Sequence, residues 1–161
     1  MHQTPRFSIR RATSNDAAGI LACLASAFEP YRRSYTSGAY SDTVLDSQTL
    51  NDRLRSMSVF VAVTESGEIA GTIACQRVSD DEGHLRGMAV LPHWQGHRIA
   101  DQLLRAAEAE LQDKCARITL DTTEPLQRAM KFYEKHGYRR SGRVTDFFGM
   151  TLFEYIKILQ P

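Results

Sequence analysis

The chain has little that would mark a secreted, nucleic-acid-binding or membrane protein. Its 161 residues include three cysteines, Cys23, Cys75 and Cys115, an odd number with no Cys-x-x-Cys pair. This spacing speaks against a disulfide framework or a structural zinc site and predicts a reducing, cytoplasmic setting. No histidine adjoins any of the three, so none reads as a nucleophile. An excess of one charge is also lacking. Twenty Lys and Arg stand against nineteen Asp and Glu, a formal net charge of +1, and with no basic stripe a nucleic-acid partner is not expected. No apolar run approaches the ~18 residues of a membrane span, so no membrane association is expected. The first residues, Pro5, Arg6, Arg10 and Arg11 around a short apolar patch, lack a signal-peptide core. Neither a Gly-x-Gly-x-x-Gly after the first strand nor a Gly-Lys-Ser/Thr occurs, which removes the dinucleotide-binding and P-loop readings. Repeats, low-complexity tracts and long linkers are missing too. One domain over residues 1–161 is expected, long enough to bury a core unaided.

What is present is an alternation of strand and helix patterns. Phe7–Arg11 reads as a strand, and Thr13, Ser14, Asn15 and Asp16 offer N-caps. The helix that follows carries Ala17, Ile20, Leu21, Leu24 and Phe28 on one stripe and stops at Pro30. Tyr31–Asp42 has little periodicity and reads as a loop or broken helix, before a short helix over Ser47–Met57. Val59–Thr64 and Ile69–Val78 read as strands joined by a turn at Glu65–Glu68, and Asp80–Gly83 is a polar turn before a strand at Leu85–Val90. Ala116–Asp121 reads as a buried strand, one helix away from Leu85–Val90, which is the spacing of a parallel crossover. Pro125 suits the first turn of a helix that carries Ala129, Phe132 and Tyr133 and stops near Gly137. Tyr138–Arg143 and Met150–Ile158 complete the chain as strands, with Phe147 and Phe148 in a polar loop between them. About seven strands and four helices in mixed order predict an α/β (α+β) single sheet. The final strand is read as exposed, an edge on which a second copy could pair, so a homodimer is one expectation.

The chain is organised around Val90–Ala100, Val-Leu-Pro-His-Trp-Gln-Gly-His-Arg-Ile-Ala. A strand leads in, Pro92 stops it for want of an N–H, and Gly96 permits a tight turn. An amphipathic helix leads out, with Ile99, Leu103, Ala106, Ala107 and Leu111 at helical spacing. The first N–H groups of such a helix are unpaired and suit an anion, a pyrophosphate above all.

Two motifs make the chain similar to the GNAT superfamily of N-acetyltransferases. Val90, Pro92, Gln95, Gly96, Ile99 and Ala100 match the family turn Val-x-Pro-x-x-Arg/Gln-Gly-x-Gly/Ala-Ile/Val-Gly/Ala. Ala129-Met-Lys-Phe-Tyr-Glu-Lys-His-Gly-Tyr138 resembles the family's Ala-x-x-x-Tyr-x-x-x-Gly-Phe/Tyr. The likeness covers nearly the whole chain and departs from the pattern at Arg98, where a small residue is usual, and at Leu126, where asparagine is frequent. It implies a mostly antiparallel central sheet with helices on both faces.

The resemblance also implies acetyl-CoA as co-substrate, without a metal, and direct transfer to a primary amine of a small molecule or peptide. Gln95, Gly96, His97, Arg98, Ile99 and Ala100 would hold the pyrophosphate, and Met88, Ala89 and Val90 the pantetheine arm. His97 and His93 otherwise read as surface residues of the turn. Gly87 in mid-strand is either a bulge or close backbone approach, or an ordinary strand glycine. Tyr133 would act as general acid toward the departing thiolate, or else be a packed core tyrosine. His84, sharing a strand face with Glu82 and Arg86, takes the position of the family's general base, or else is a solvent-facing histidine at a strand end, with Glu82 and Glu29 as other candidates for the base. Glu29, Tyr31, Tyr35 and Phe147 would line the acceptor pocket. The alternative to an enzyme is a weak or inactive acyl-CoA-binding sensor of the same fold.

Overall fold

Stretches rich in Val, Ile, Thr and aromatic residues pair into one seven-stranded sheet, against which the apolar stripes of the long helices are buried. The computed structural model of the chain describes residues 6–160, so Pro5 and its part of the N-terminal patch lie outside the described residues. The elements are β1 (Phe7–Arg11), α1 (Ala17–Phe28), α2 (Ser37–Thr43), α3 (Ser47–Ser56), β2 (Ser58–Thr64), β3 (Ile69–Arg77), β4 (Glu82–Val90), α4 (Ile99–Leu111), β5 (Arg117–Thr123), α5 (Gln127–Lys135), β6 (Arg139–Phe147) and β7 (Met150–Ile158). The strand order is β1-β2-β3-β4-β5-β7-β6. Every neighbouring pair is antiparallel except β4 and β5, whose crossover is α4.

The helices cover both faces. On one, Ile99, Leu103, Leu104, Ala107 and Leu111 of α4 pack on Leu85, Ile118 and Leu120, with Tyr133 and Tyr155 in the same cluster. On the other, Ile20, Cys23, Leu24 and Phe28 of α1 and Leu50 of α3 pack on Val59, Val61 and Ala89.

Four expectations need correction. The segment read as a loop or broken helix holds α2, whose N-cap Thr36 accepts from the Ala39 N–H at 3.2 Å. It is short and buries Ala39 alone, so no stripe betrays it. Pro125 precedes α5 rather than opening it, in a turn closed by the Leu126 N–H on the Thr123 carbonyl (3.0 Å). Phe147 lies not in a loop but at the end of β6, and a two-residue turn, Phe148 (φ 51°) and Gly149 (φ 88°), joins it to Met150. That backbone normally signals itself by Asn-Gly or Asp-Gly, and Phe-Gly hides it. Because the turn is so tight, β6 folds back on the outside of β7. The final strand is therefore enclosed between β5 and β6, and the free edges belong to β1 and β6. Pairing of a second copy on Met150–Ile158 is excluded.

The start of α1 is fixed by charge. Asp16 accepts two bonds from the Arg10 guanidinium (2.7 and 2.8 Å) and one from the Thr13 N–H (2.8 Å). These bonds, the Arg10 pair first, hold the carboxyl at about 2 against the burial that would raise it. A carboxylate with a depressed pKa stabilises the fold fully above its unfolded value and loses that contribution as pH falls through the folded one. Asp16→Asn should therefore cost about 1–2 kcal/mol in urea unfolding at pH 7. The gap between variant and wild type should close as the pH falls from about 4 toward 2.

Candidate active site

β4 and β5 pair from Glu82 opposite Arg117 to Leu85 opposite Leu120, and no further. The cause is on β4. Thr72 of β3 faces Ala89 while Ala74 faces Arg86, so β4 carries one extra residue, and Gly87 takes φ +67° at that point. Such a bulge bends its strand and breaks the ladder. The two parallel strands part, and a cavity of about 800 Å³ opens between them. Met88, Ala89, Val90, Gln95, Gly96, Arg98, Ile99, Ala100, His84, Tyr31, Tyr35, Phe147 and Tyr133 all line it. His97, Glu29 and Glu82 do not.

At one end lies the turn into α4. Its first helical bond runs from the Gln102 N–H to the Arg98 carbonyl (3.2 Å). The N–H groups of Ile99, Ala100 and Asp101 find no acceptor among the described residues, and Arg98 offers no side-chain cap. A helix start of this kind suits an anion. Arg98 and Arg128 both line the cavity, and Arg128 donates to Gln95 Oε1 at 3.1 Å, tying the turn to α5. His97 packs edge-on against Trp94, with ring centroids 5.4 Å apart, as a residue of the turn's outer side.

Tyr133 reaches the cavity from α5. Its ring packs against Phe132 and Tyr138 (centroids 5.3 and 5.7 Å), so the core reading and the cavity reading both hold. The phenol has no hydrogen bond to a described residue, and burial pushes its pKa above the ordinary value. Thr122 also lines the cavity, and its buried hydroxyl has no partner among the described residues.

On the other side of β4, a short relay fixes His84. Thr119 is its register partner on β5. The Thr119 hydroxyl donates to Glu82 Oε2 (2.9 Å) and so accepts from His84 Nδ1–H (2.8 Å). A neutral imidazole protonated at Nδ1 keeps a lone pair on Nε2. That nitrogen lies 3.6 Å from Asp121 Oδ2. Burial draws the His84 pKa below its ordinary value, with Arg86 in support and Asp121 opposed. Burial likewise raises Asp121.

Two base candidates drop out on position. Glu82 faces Thr119 and Arg117 (3.3 Å to the latter), and Glu29 is an exposed residue paired with Arg32 at 3.4 Å. The Tyr35 hydroxyl is held by Thr123 Oγ1 at 2.6 Å. Thr119, Asp121, Thr122, Arg128 and Arg53 escaped the sequence reading. The first two were findable, since residues two apart on β5 must follow His84 once the parallel pairing is drawn. Among the described residues no group of three or more His, Cys, Asp and Glu side chains is arranged to hold a metal. No helix among them is long and apolar enough to cross a membrane.

Comparison with known proteins bears on this geometry. The model of the acetyltransferase (GNAT) family matches residues 22–138. An N-acetylaspartate synthetase of Danio rerio is 34% identical over 92 residues, which are 56% of this chain and 33% of that protein. The N-alpha-acetyltransferase MAK3 of Arabidopsis thaliana is 29% identical over 102 residues, 59% of this chain and 53% of that one. The chain thus spans about a third to a half of these relatives. Among solved structures, a GNAT-family acetyltransferase of Staphylococcus aureus Mu50 superposes with TM-score 0.78 at 17% identity, covering 96% of this chain and all of that one. The PaiA N-acetyltransferase of Thermoplasma acidophilum, solved with coenzyme A, gives 0.78 at 16% identity, covering 95% and 99%. At these identities the structures show the fold.

The departure at Arg98 has a backbone meaning. Arg98 is the N-cap of α4 and takes φ 65°, the left-handed region. A side chain costs about 1 kcal/mol there, which glycine escapes. Arg98→Gly should raise the unfolding free energy by about that amount in a urea titration, and the β-branched Arg98→Val should lower it.

Proposed function

The chain belongs to the acetyltransferase (GNAT) family, and we propose that it is an acetyl-CoA-dependent N-acetyltransferase. It moves the acetyl group directly to a primary amine of a small molecule or peptide. One observation carries this reading: a single cavity joins unpaired N–H groups at a helix start, an unpartnered phenol and a histidine whose Nε2 is left as an acceptor.

The lining suits the co-substrate from end to end. The N–H groups of Ile99, Ala100 and Asp101, with Arg98 and Arg128, suit a pyrophosphate. The apolar Leu85, Ile99 and Leu120 suit the pantetheine arm. Bound acetyl-CoA supplies the activated acyl group and the thiol that leaves. His84 Nε2 takes the proton of the attacking amine, directly or through water, and the Tyr133 phenol protonates the departing sulfur. Burial sets both groups in the required form, keeping His84 neutral and Tyr133 protonated near pH 7. Glu82 and Thr119 act through His84 as positioning residues. Cys23 and Cys75 are buried, their thiols pushed up to about 12 and 11, which suits transfer without a covalent enzyme intermediate. Three unpaired thiols also suit a cytoplasmic setting. The names of the two sequence relatives, one an N-acetylaspartate synthetase and one an N-alpha-acetyltransferase, support an amine acceptor.

Acetyl-CoA at about 100 times its dissociation constant should stabilise the protein by ~2.7 kcal/mol, seen as a rise in Tm. Tyr133→Phe should keep that rise and lose about 100-fold or more in kcat. A sensor would keep the rise with nothing to lose. Wild-type kcat/KM should fall on the acid side with a midpoint below about 6.5, and His84→Gln should abolish that limb. No rise in Tm at millimolar acetyl-CoA would remove the proposal.

A further inference from the structure

On the α3 side of the cavity, one cationic side chain has no ion-pair partner among the described residues. On α3, Leu50, Arg53, Leu54 and Met57 fall on one side at helical spacing, and Leu50 and Met57 are buried. Arg53 therefore occupies an inward position, and its guanidinium lines the cavity beside Gly87. A Cβ on Gly87 would collide with Arg53 Nη1. The guanidinium thus lies directly against the bulge.

The Arg53 guanidinium makes no hydrogen bond or ion pair with a described residue; burial and the neighbouring Arg86 draw its pKa down to about 10, with Asp42 opposed. Asp42 is already engaged by Arg86 at 3.3 Å. Asp121, the other carboxylate on this wall, lies 3.6 Å from His84 Nε2, so neither acid is paired with the Arg53 guanidinium. Arg10 and Arg117, by contrast, face Asp16 and Glu82. A half-buried guanidinium is costly without an anion, and its planar fork fits a carboxylate with two parallel bonds.

The side of the sheet is the one the acceptor needs. Leu85 packs under α4, so His84 and Arg86 on either side of it face the opposite layer, where α1, α2 and α3 lie. Arg53 and His84 thus line the same wall. We propose that Arg53 binds a carboxylate of the acceptor, so that the substrates are amino acids or related amines bearing a carboxylate; this rests on the acetyl-transfer reading above. An amine poised at His84 then has its acid group anchored at the bulge, a geometry that a simple amine or polyamine does not exploit.

The test is thiol release from acetyl-CoA with matched acceptors: glycine and glycinamide, L-alanine and L-alaninamide, L-aspartate and L-asparagine, L-glutamate and L-glutamine. Spermidine and phosphoethanolamine serve as acceptors without a carboxylate. At least one acid should exceed its amide by about tenfold or more in kcat/KM, and Arg53→Met should collapse that ratio through KM. Arg53→Lys should restore part of it. The Tm of Arg53→Met should not fall, because the guanidinium has no protein partner to lose, whereas a structural arginine would lower it. Acids no better than amides, turnover confined to spermidine or phosphoethanolamine, or a preference that survives Arg53→Met would each overturn the assignment. So would a normal Tm rise with acetyl-CoA and no turnover of any acceptor. Absence of the Tm rise itself would strike the acetyl-transfer reading first and this assignment with it.

Discussion

The bulge at Gly87 is the constraint on which the rest of the site depends. A parallel pair held in register along its whole length would bury the backbone of Met88–Val90 against β5 and leave no cavity. With one extra residue in β4 and a left-handed glycine to absorb it, the ladder ends at Leu85 and the strands part. The same residue sets the Arg53 guanidinium against the opened strand.

Burial then does opposite things to two acids. It depresses the imidazolium of His84 and raises the phenol of Tyr133, because in each case the charged form is the one that water no longer solvates. Both shifts move their groups toward the forms a base and an acid need. The hydrogen-bond relay adds what burial cannot, namely which nitrogen carries the proton. With Glu82 able only to accept, Thr119 must donate to it, and His84 Nδ1 must donate to Thr119. Glu82 was a plausible base by alternation along β4, but it does not line the cavity and instead accepts from Thr119 in that relay.

The turn into α4 shows how a departure from a pattern is accommodated. Three N–H groups there have no acceptor among the described residues whatever the side chains, since a helix start exposes its first backbone donors. Arg98 keeps the left-handed conformation of its position and bears the steric cost, while its guanidinium joins Arg128 at the mouth of the cavity. Leu126, the second departure, is the non-helical residue before α5 and lines the same cavity.

Periodicity in the sequence determined the seven strands, the long helices, the parallel crossover and the turn into α4, because each is a local pattern of apolar spacing and turn residues. It also placed His84, Tyr133 and the β4 segment correctly on their elements. A register partner was within its reach as well: Thr119 follows from pairing β4 with β5. What the sequence could not determine is where elements lie relative to one another. The helix α2 has no stripe to read, and the enclosure of β7 depends on a Phe-Gly turn without the usual signature. Arg53 sits at a core-facing position of α3, which is visible as an anomaly, but its meaning comes only from the bulge it meets 34 residues later in the chain at Gly87. Contacts between residues so far apart are set by packing and loop closure, not by local propensity, and so only the tertiary structure decided which charges face the cavity and which are neutralised at its rim.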